Sequence, residues 1–170
     1  MLMYKNFYAT RIPNLTARTR ILIQTAIGFN FLELVSLLGL TLVSSDENFD
    51  IHKVCFVAFG ISGLIYFILT YLLWTKYGLE LETNEEIKSL RIKKRTLKFY
   101  FVCGCLMSFF YYRHNEYCEP YVYSFFCICE YVIVISNMMF HYTARYDFAH
   151  INLVLPARIS QKGYLPMTAH

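Results

Sequence analysis

The sequence predicts an all-α integral membrane protein, a four-helix bundle with both termini in the cytosol. Three observations carry that expectation. Of the 170 residues 56% are hydrophobic and only 16% charged, where a soluble domain carries charge at about a quarter of its positions. Apolar runs recur at lengths that match a bilayer. The basic residues gather on one side of those runs.

Residues 21–43 form the first run, interrupted by Gln24, Asn30, Glu33 and a few hydroxyl side chains. Residues 54–75 carry no charge, and residues 121–141 carry only Glu130. Each run reaches the roughly 20 residues that a helix needs to cross about 30 Å of hydrocarbon. A fourth run, 97–112, is shorter and reaches across with Leu97 and a snorkelling Lys98. It is expected to span, because the chain otherwise returns on the wrong side. The first run is too long for a cleaved signal peptide and reads as a retained signal-anchor. Gly28, Ser36 and Gly39 in it, and Gly60, Ser62 and Gly63 in the second, allow helices to approach closely.

Charge orients the spans. Lys5, Arg11, Arg18 and Arg20 precede the first; Lys76, Lys88, Arg91, Lys93, Lys94, Arg95 and Lys98 lie between the second and third; Arg145, Arg158 and Lys162 follow the fourth. Only Lys53 and Arg113 fall on the opposite side. The positive-inside rule then puts the termini and the 76–98 loop in the cytosol, and the loops 44–53 and 113–120 on the luminal or exterior side. The net charge of +4 is a topology signal, and no nucleic-acid partner is expected. Within the cytosolic loop, acidic residues come first and basic residues last, which suits either a short helix or a solvated stretch flanking the membrane. The chain reads as one membrane domain over 1–148 and a cytosolic tail over 149–170. The tail carries Pro156, Gly163 and Pro166 without periodicity and is expected to be disordered.

Polar groups at membrane depth mark where function is to be sought. Glu130, Asn137 and His141 are spaced i, i+7, i+11 along one helical face, which Tyr123 and Cys127 extend toward the lumen. Asn30 and Glu33 lie one turn apart near the middle of the first run. If the first and fourth spans touch, Glu33 and Glu130 could share one proton; the alternative is that each is protonated and bonded to a neighbour, holding helices in register. His141 reads as an interfacial residue or as part of this face. On the luminal side, Arg113 is suited to a phosphate through bidentate bonds, with Asn115 and Tyr117 beside it, and His114 or His52 to general-base work. Turn and interface roles remain the alternative for these loop residues. Asp46, Glu47 and Asp50 join the imidazoles without any metal-ligand spacing, so no metal is assigned, and no cofactor is expected. Cys103/Cys105 and Cys127/Cys129 point about 200° apart within each pair and chelate nothing alone; a Cys55–Cys118 disulfide is open to an oxidising lumen.

The block Tyr112-Arg113-His114-Asn115-x-Tyr117-Cys118-Glu119, followed by Val122-Tyr123, Glu130-Tyr131, Asn137-Met138, Phe140-His141 and Thr143-Ala144-x-x-Asp147-Phe148, resembles the C-terminal region of the post-GPI attachment to proteins factor 2 family. Asn30-x-x-Glu33, Leu42-x-Ser44-Ser45 and Ile51-His52 carry the resemblance into the first hairpin. More remotely, the chain is similar to the N-terminal part of the yeast protein that exchanges GPI diacylglycerol for ceramide. The resemblance implies a multi-pass protein of the Golgi or endoplasmic reticulum that takes part in reacylating lyso-GPI-anchored proteins. Its partners would be membrane lipid, GPI-anchored proteins and other GPI-remodelling proteins. In an acyltransferase-like role His52, His114, Glu33 and Glu130 would be catalytic, and Arg113, Asn115, Tyr117, Asn137 and His141 would bind lipid or phosphate. A non-catalytic scaffold or lipid-binding subunit is the alternative, and a small proton-coupled transporter a more distant one. Family members carry further spans upstream of the matched region, which implies a short paralogue or part of a longer protein. They also place a small residue and then Gly where this chain has Pro120-Tyr121.

Overall fold

The computed structural model describes residues 2–12, 16–76, 83–117, 119 and 121–149, and every regular element among them is helical. A short helix α1 (Leu2–Arg11) precedes α2 (Ala17–Leu42), α3 (Phe49–Thr75), α4 (Asn84–Tyr117), α5 (Val122–Tyr142) and a single turn, α6 (Ala144–Asp147). α2, α3 and the α5–α6 stretch Val122–Asp147 are long and apolar enough to cross a membrane. α2 packs on α3, α3 on α4, and α4 on α5. The surfaces turned outward are apolar: Phe31, Leu38 and Leu42 of α2, Val54 and Ile61 of α3, and Ile128, Ile135 and Met138 of α5 are all exposed. Water would penalise such a belt; hydrocarbon does not.

Helix ends follow local chemistry. Thr16 caps α2 through its hydroxyl, which accepts from the Thr19 amide at 3.3 Å, and Asn48 caps α3 by accepting from the Ile51 amide at 3.1 Å. α4 opens on a reciprocal capping box: the Glu86 amide donates to Thr83 Oγ1 and the Thr83 amide to Glu86 Oε2, both at 3.3 Å. That box explains one difference from expectation. The fourth run does not begin its own helix near residue 97; it continues a 34-residue helix that starts in the charged loop. The other ends also move outward, to Ala17 and Phe49, because Thr16 and Asn48 allow an extra turn. Tyr121 stands before α5 at φ 69°, the left-handed conformation that suits glycine and strains a side-chain-bearing residue. The proposed disordered tail from 150 onward, Cys118 and Pro120 lie outside the described residues. Cys55 is a free thiol, packed where a Cβ on Gly39 would come within 2.7 Å of its sulfur.

The charged loop is not simply solvated. Glu86, Ser89, Lys93, Thr96 and Tyr100 form a buried heptad-spaced stripe on α4, and α1 closes over it with Phe7, Tyr8 and Ile12 buried. Lys93, 1% exposed, donates to Asp147 Oδ2 at 2.5 Å and to Ser89 Oγ at 2.8 Å, and sits 4.2 Å from the Trp74 ring centroid. Ser89 donates to Asp147 Oδ1 at 2.5 Å and Tyr4 to Oδ2 at 2.8 Å. Arg11 pairs with Glu86. Burial pushes the Lys93 ammonium down to about 8, with Asp147 opposing that shift, and burial also raises the Tyr4 and Tyr8 hydroxyls. One polar network thus ties α1, α3, α4 and α6 together.

Removing one member of such a pair leaves the other charge buried. Asp147→Ala is expected to cost about 3–5 kcal/mol, read as a lower midpoint in detergent thermal unfolding; an unchanged midpoint would show the pair to be solvated. Tyr121 is 78% exposed, so Tyr121→Gly removes strain without removing packing. It should raise stability by about 1 kcal/mol, and a drop in midpoint would contradict the left-handed geometry.

Candidate functional site

Glu33 is a fully buried carboxyl, 1% exposed on the inner face of α2. Its Oε1 accepts from Asn137 Nδ2 and lies 2.9 Å from His141 Nε2, both on α5. α2 and α5 do not approach each other closely along their backbones; the contact runs across α3. The opening is Gly63. A Cβ there would lie 3.0 Å from the Tyr100 hydroxyl, 3.4 Å from Asn137 Nδ2 and 3.6 Å from the Glu33 carboxyl carbon. The missing side chain leaves the channel through which Glu33 reaches its partners.

The surroundings complete the cluster. Tyr66 of α3 stacks on the His141 ring at 5.5 Å and 13°, with Asn30 of α2 within reach of its hydroxyl. Tyr100 of α4 donates to the Gly60 carbonyl at 3.2 Å. Phe67 stacks on Phe140 at 3.7 Å, fixing α3 against α5 beside the polar groups. All four long helices therefore contribute. Glu33 Oε2 has no hydrogen-bond partner, so the carboxyl retains one acceptor position. Chemically the arrangement is a carboxyl–imidazole pair able to hold and exchange a proton in a dry setting.

The remaining predicted residues fall elsewhere. Glu130 does not meet Glu33: it lies two turns, about 10 Å, along α5 from Asn137, and Glu33 is taken by Asn137 and His141. The shared-proton arrangement is thereby replaced by a carboxyl–imidazole one. His141 is correspondingly a member of the inner cluster rather than an interfacial residue. Glu130 is half-buried, without a hydrogen bond among the described residues, and lies in electrostatic reach of His52 on α3. His52 Nδ1 is 2.8 Å from the Val43 carbonyl. His114 has a buried Nδ1 with no partner and packs against Tyr123 at 5.2 Å. Arg113 pairs with Glu119, its Nε donating at 3.2 Å, and lies 4.9 Å from the Tyr117 ring. Asn115 and Tyr117 are exposed. No cluster that could hold a metal ion occurs among the described residues.

Sequence reasoning assigned no role to Tyr66 or Tyr100 and treated Gly63 only as a packing residue. The available signal was spacing. Gly63 and Tyr66 are one turn apart in the chargeless run 54–75, and Tyr100 ends the heptad stripe Glu86, Ser89, Lys93, Thr96. Gly63→Val should close the channel and cost about 1–3 kcal/mol through overpacking, whereas Gly60→Ala, with nothing within 4 Å of its Cβ, should be neutral or stabilising. Thermal midpoints of the two variants check this; equal midpoints would show that Glu33 does not depend on the gap.

Comparison with known proteins agrees with this architecture. The sequence model of the Frag1/DRAM/Sfk1/Cwh43P N-terminal domain matches residues 1–151. The chain is similar to post-GPI attachment to proteins factor 2 of Caenorhabditis briggsae, 39% identical over 145 residues that make up 85% of this chain and 55% of that protein. It is similar to the acyltransferase PGAP2 of Xenopus tropicalis, 39% identical over 126 residues, 74% of this chain and 50% of the relative. To the factor 2 protein of Drosophila melanogaster it is 32% identical over 139 residues, 82% and 54% of the two chains. The chain spans about half the length of the curated relatives it matches. No solved structure matches it. With three bilayer-length apolar helices among the described residues, this is a membrane protein, and it belongs to the Frag1/DRAM/Sfk1/Cwh43P N-terminal domain family.

Proposed function

We propose that this chain takes part in remodelling the lipid of GPI anchors, as a four-span unit that helps return an acyl chain to lyso-GPI-anchored proteins. The observation that carries the reading is the 39% identity, over most of the chain, to proteins whose names state post-GPI attachment and, in one, acyl transfer. The geometry supports it through polar and titratable groups gathered inside otherwise apolar helices, since such groups persist in hydrocarbon mainly where they do work.

In this proposal the fourth span is the 97–112 part of α4, and α2–α5 form a four-helix bundle. The termini and the α3–α4 connection face the cytosol, and the ends near residues 44–48 and 119–121 face the lumen of the Golgi or endoplasmic reticulum. The basic residue distribution supports that orientation. The luminal end offers His52, His114 and Glu130 for proton transfer, with Arg113, Asn115 and Tyr117 at head-group level. Glu33, Asn137 and His141 form the deeper acid–base cluster. Membrane lipid, GPI-anchored proteins and other remodelling proteins are the partners this role requires.

A non-catalytic reading, a lipid-binding or recruiting subunit, draws support from one observation: the Arg113 guanidinium is already engaged by Glu119. Both readings are tested in cells whose own factor has been deleted. Making the chain there should convert lyso-GPI anchors to the diacyl form, measured by mass spectrometry of anchor lipids. An unaltered lyso fraction, with the chain present in the secretory membranes, would overturn the proposal. Rescue that also requires a second remodelling protein would favour the recruiting subunit.

A further inference from the structure

At the proposed luminal end the two imidazoles differ in a way that spacing alone does not reveal. A backbone carbonyl only accepts hydrogen bonds, so the 2.8 Å contact between His52 Nδ1 and the Val43 carbonyl requires the proton on Nδ1. The neutral ring then carries its lone pair on Nε2, and no group among the described residues bonds that atom. His114 has no such fixed tautomer, because its buried Nδ1 has no partner.

The position of His52 is also well held. It lies three residues into α3, about 5 Å from the helix start, behind the Asn48 cap. The next residue, Lys53, donates to the Tyr111 hydroxyl of α4 at 2.6 Å, and Tyr111 packs on Phe126 of α5 at 5.8 Å. α3, α4 and α5 are thereby joined at this level. The exposed residues beside it are apolar at Phe49, Ile51 and Val54 and charged at Asp50 and Lys53, the mixed surface of a membrane boundary. In the proposed orientation a lipid hydroxyl at the depth where glycerol meets the acyl chains would reach His52 past them.

We infer that His52 is the general base of the acyl transfer, accepting at Nε2 the proton of a lyso-phospholipid glycerol hydroxyl; this rests on the reading proposed above. The step balances within the acyl donor, an acyl thioester or the acyl ester of a second phospholipid. The glycerol oxygen bonds to the donor carbonyl as its proton moves to Nε2. The carbonyl's bond to sulfur or oxygen then breaks, and the leaving thiolate or alkoxide takes the proton from Nε2.

The test uses the full chain in nanodiscs with lyso-phosphatidylinositol, and in separate arms a labelled acyl-coenzyme A or a labelled diacyl phospholipid. Wild type should form diacyl product with one donor. His52→Gln should lower the rate by about 100-fold or more at unchanged KM, and imidazole should restore turnover to His52→Ala. A folded His52→Gln variant near wild-type rate overturns the inference while leaving the reading intact. Labelled free fatty acid without lipid product overturns the lipid hydroxyl as acceptor. No transfer by wild type in either arm overturns both the catalytic reading and the inference. Nitrogen-15 NMR of His52 gives an independent check: the Nδ1–H tautomer is expected, and the Nε2–H tautomer overturns the inference alone.

Discussion

A carboxyl group inside apolar helices must be satisfied, and the placement of Glu33 organises much of this molecule around that requirement. Leaving it alone in hydrocarbon costs several kcal/mol, so its partners are brought from α5, a helix whose backbone α2 does not touch. Reaching them takes an absent side chain at Gly63, a flat imidazole at His141 and an amide at Asn137. Tyr66 covers the imidazole and Phe67 locks onto Phe140 one position away. Hydrogen bonds between membrane helices add only about 0.6–2 kcal/mol each. Their larger effect here is on register, because a one-residue rotation of α2 or α5 would strand the carboxyl.

This inverted economy, polar within and apolar without, also decides what the sequence makes legible. The apolar runs announce helices of the right length, and Glu33, Asn137 and His141 announce themselves by being polar where polarity is costly. The capping residues Thr16 and Asn48 lie just outside the runs and Thr83 well before the fourth, so hydropathy places the helix starts too late. The buried stripe of α4 is harder to read. Glu86, Ser89, Lys93 and Thr96 repeat with heptad spacing, yet every member is polar, and a search for apolar periodicity passes over it. Its burial depends on α1 and α6 closing over it, which are contacts of long sequence separation. The choice between Glu130 and His141 as partner of Glu33 likewise depends on how far α5 slides along α3, a quantity that spacing within one helix does not contain.

The two ends of the helices are built on different principles. At one end, Lys93, Asp147, Ser89 and Tyr4 satisfy one another fully and tie four elements together. At the other, Arg113 and Glu119 pair at partly exposed positions, where an ion pair contributes about 0–1 kcal/mol, and among the described residues His52 Nε2 and His114 Nδ1 have no hydrogen-bond partner. Stability is concentrated at the first end, and free acid–base capacity at the second. Such a division leaves the second end free to adjust while the frame stays fixed.

The contact between Gly39 and Cys55 has its own consequence. The sulfur occupies the space that a side chain on the facing helix would fill, so its cover is the other backbone and not a flexible group. Cys55 is partly exposed, and any breathing that parts α2 from α3 uncovers its thiol further. The rate at which an alkylating reagent finds that single atom therefore clocks the separation of the two helices, a gauge that evolution left in the frame without adding a probe.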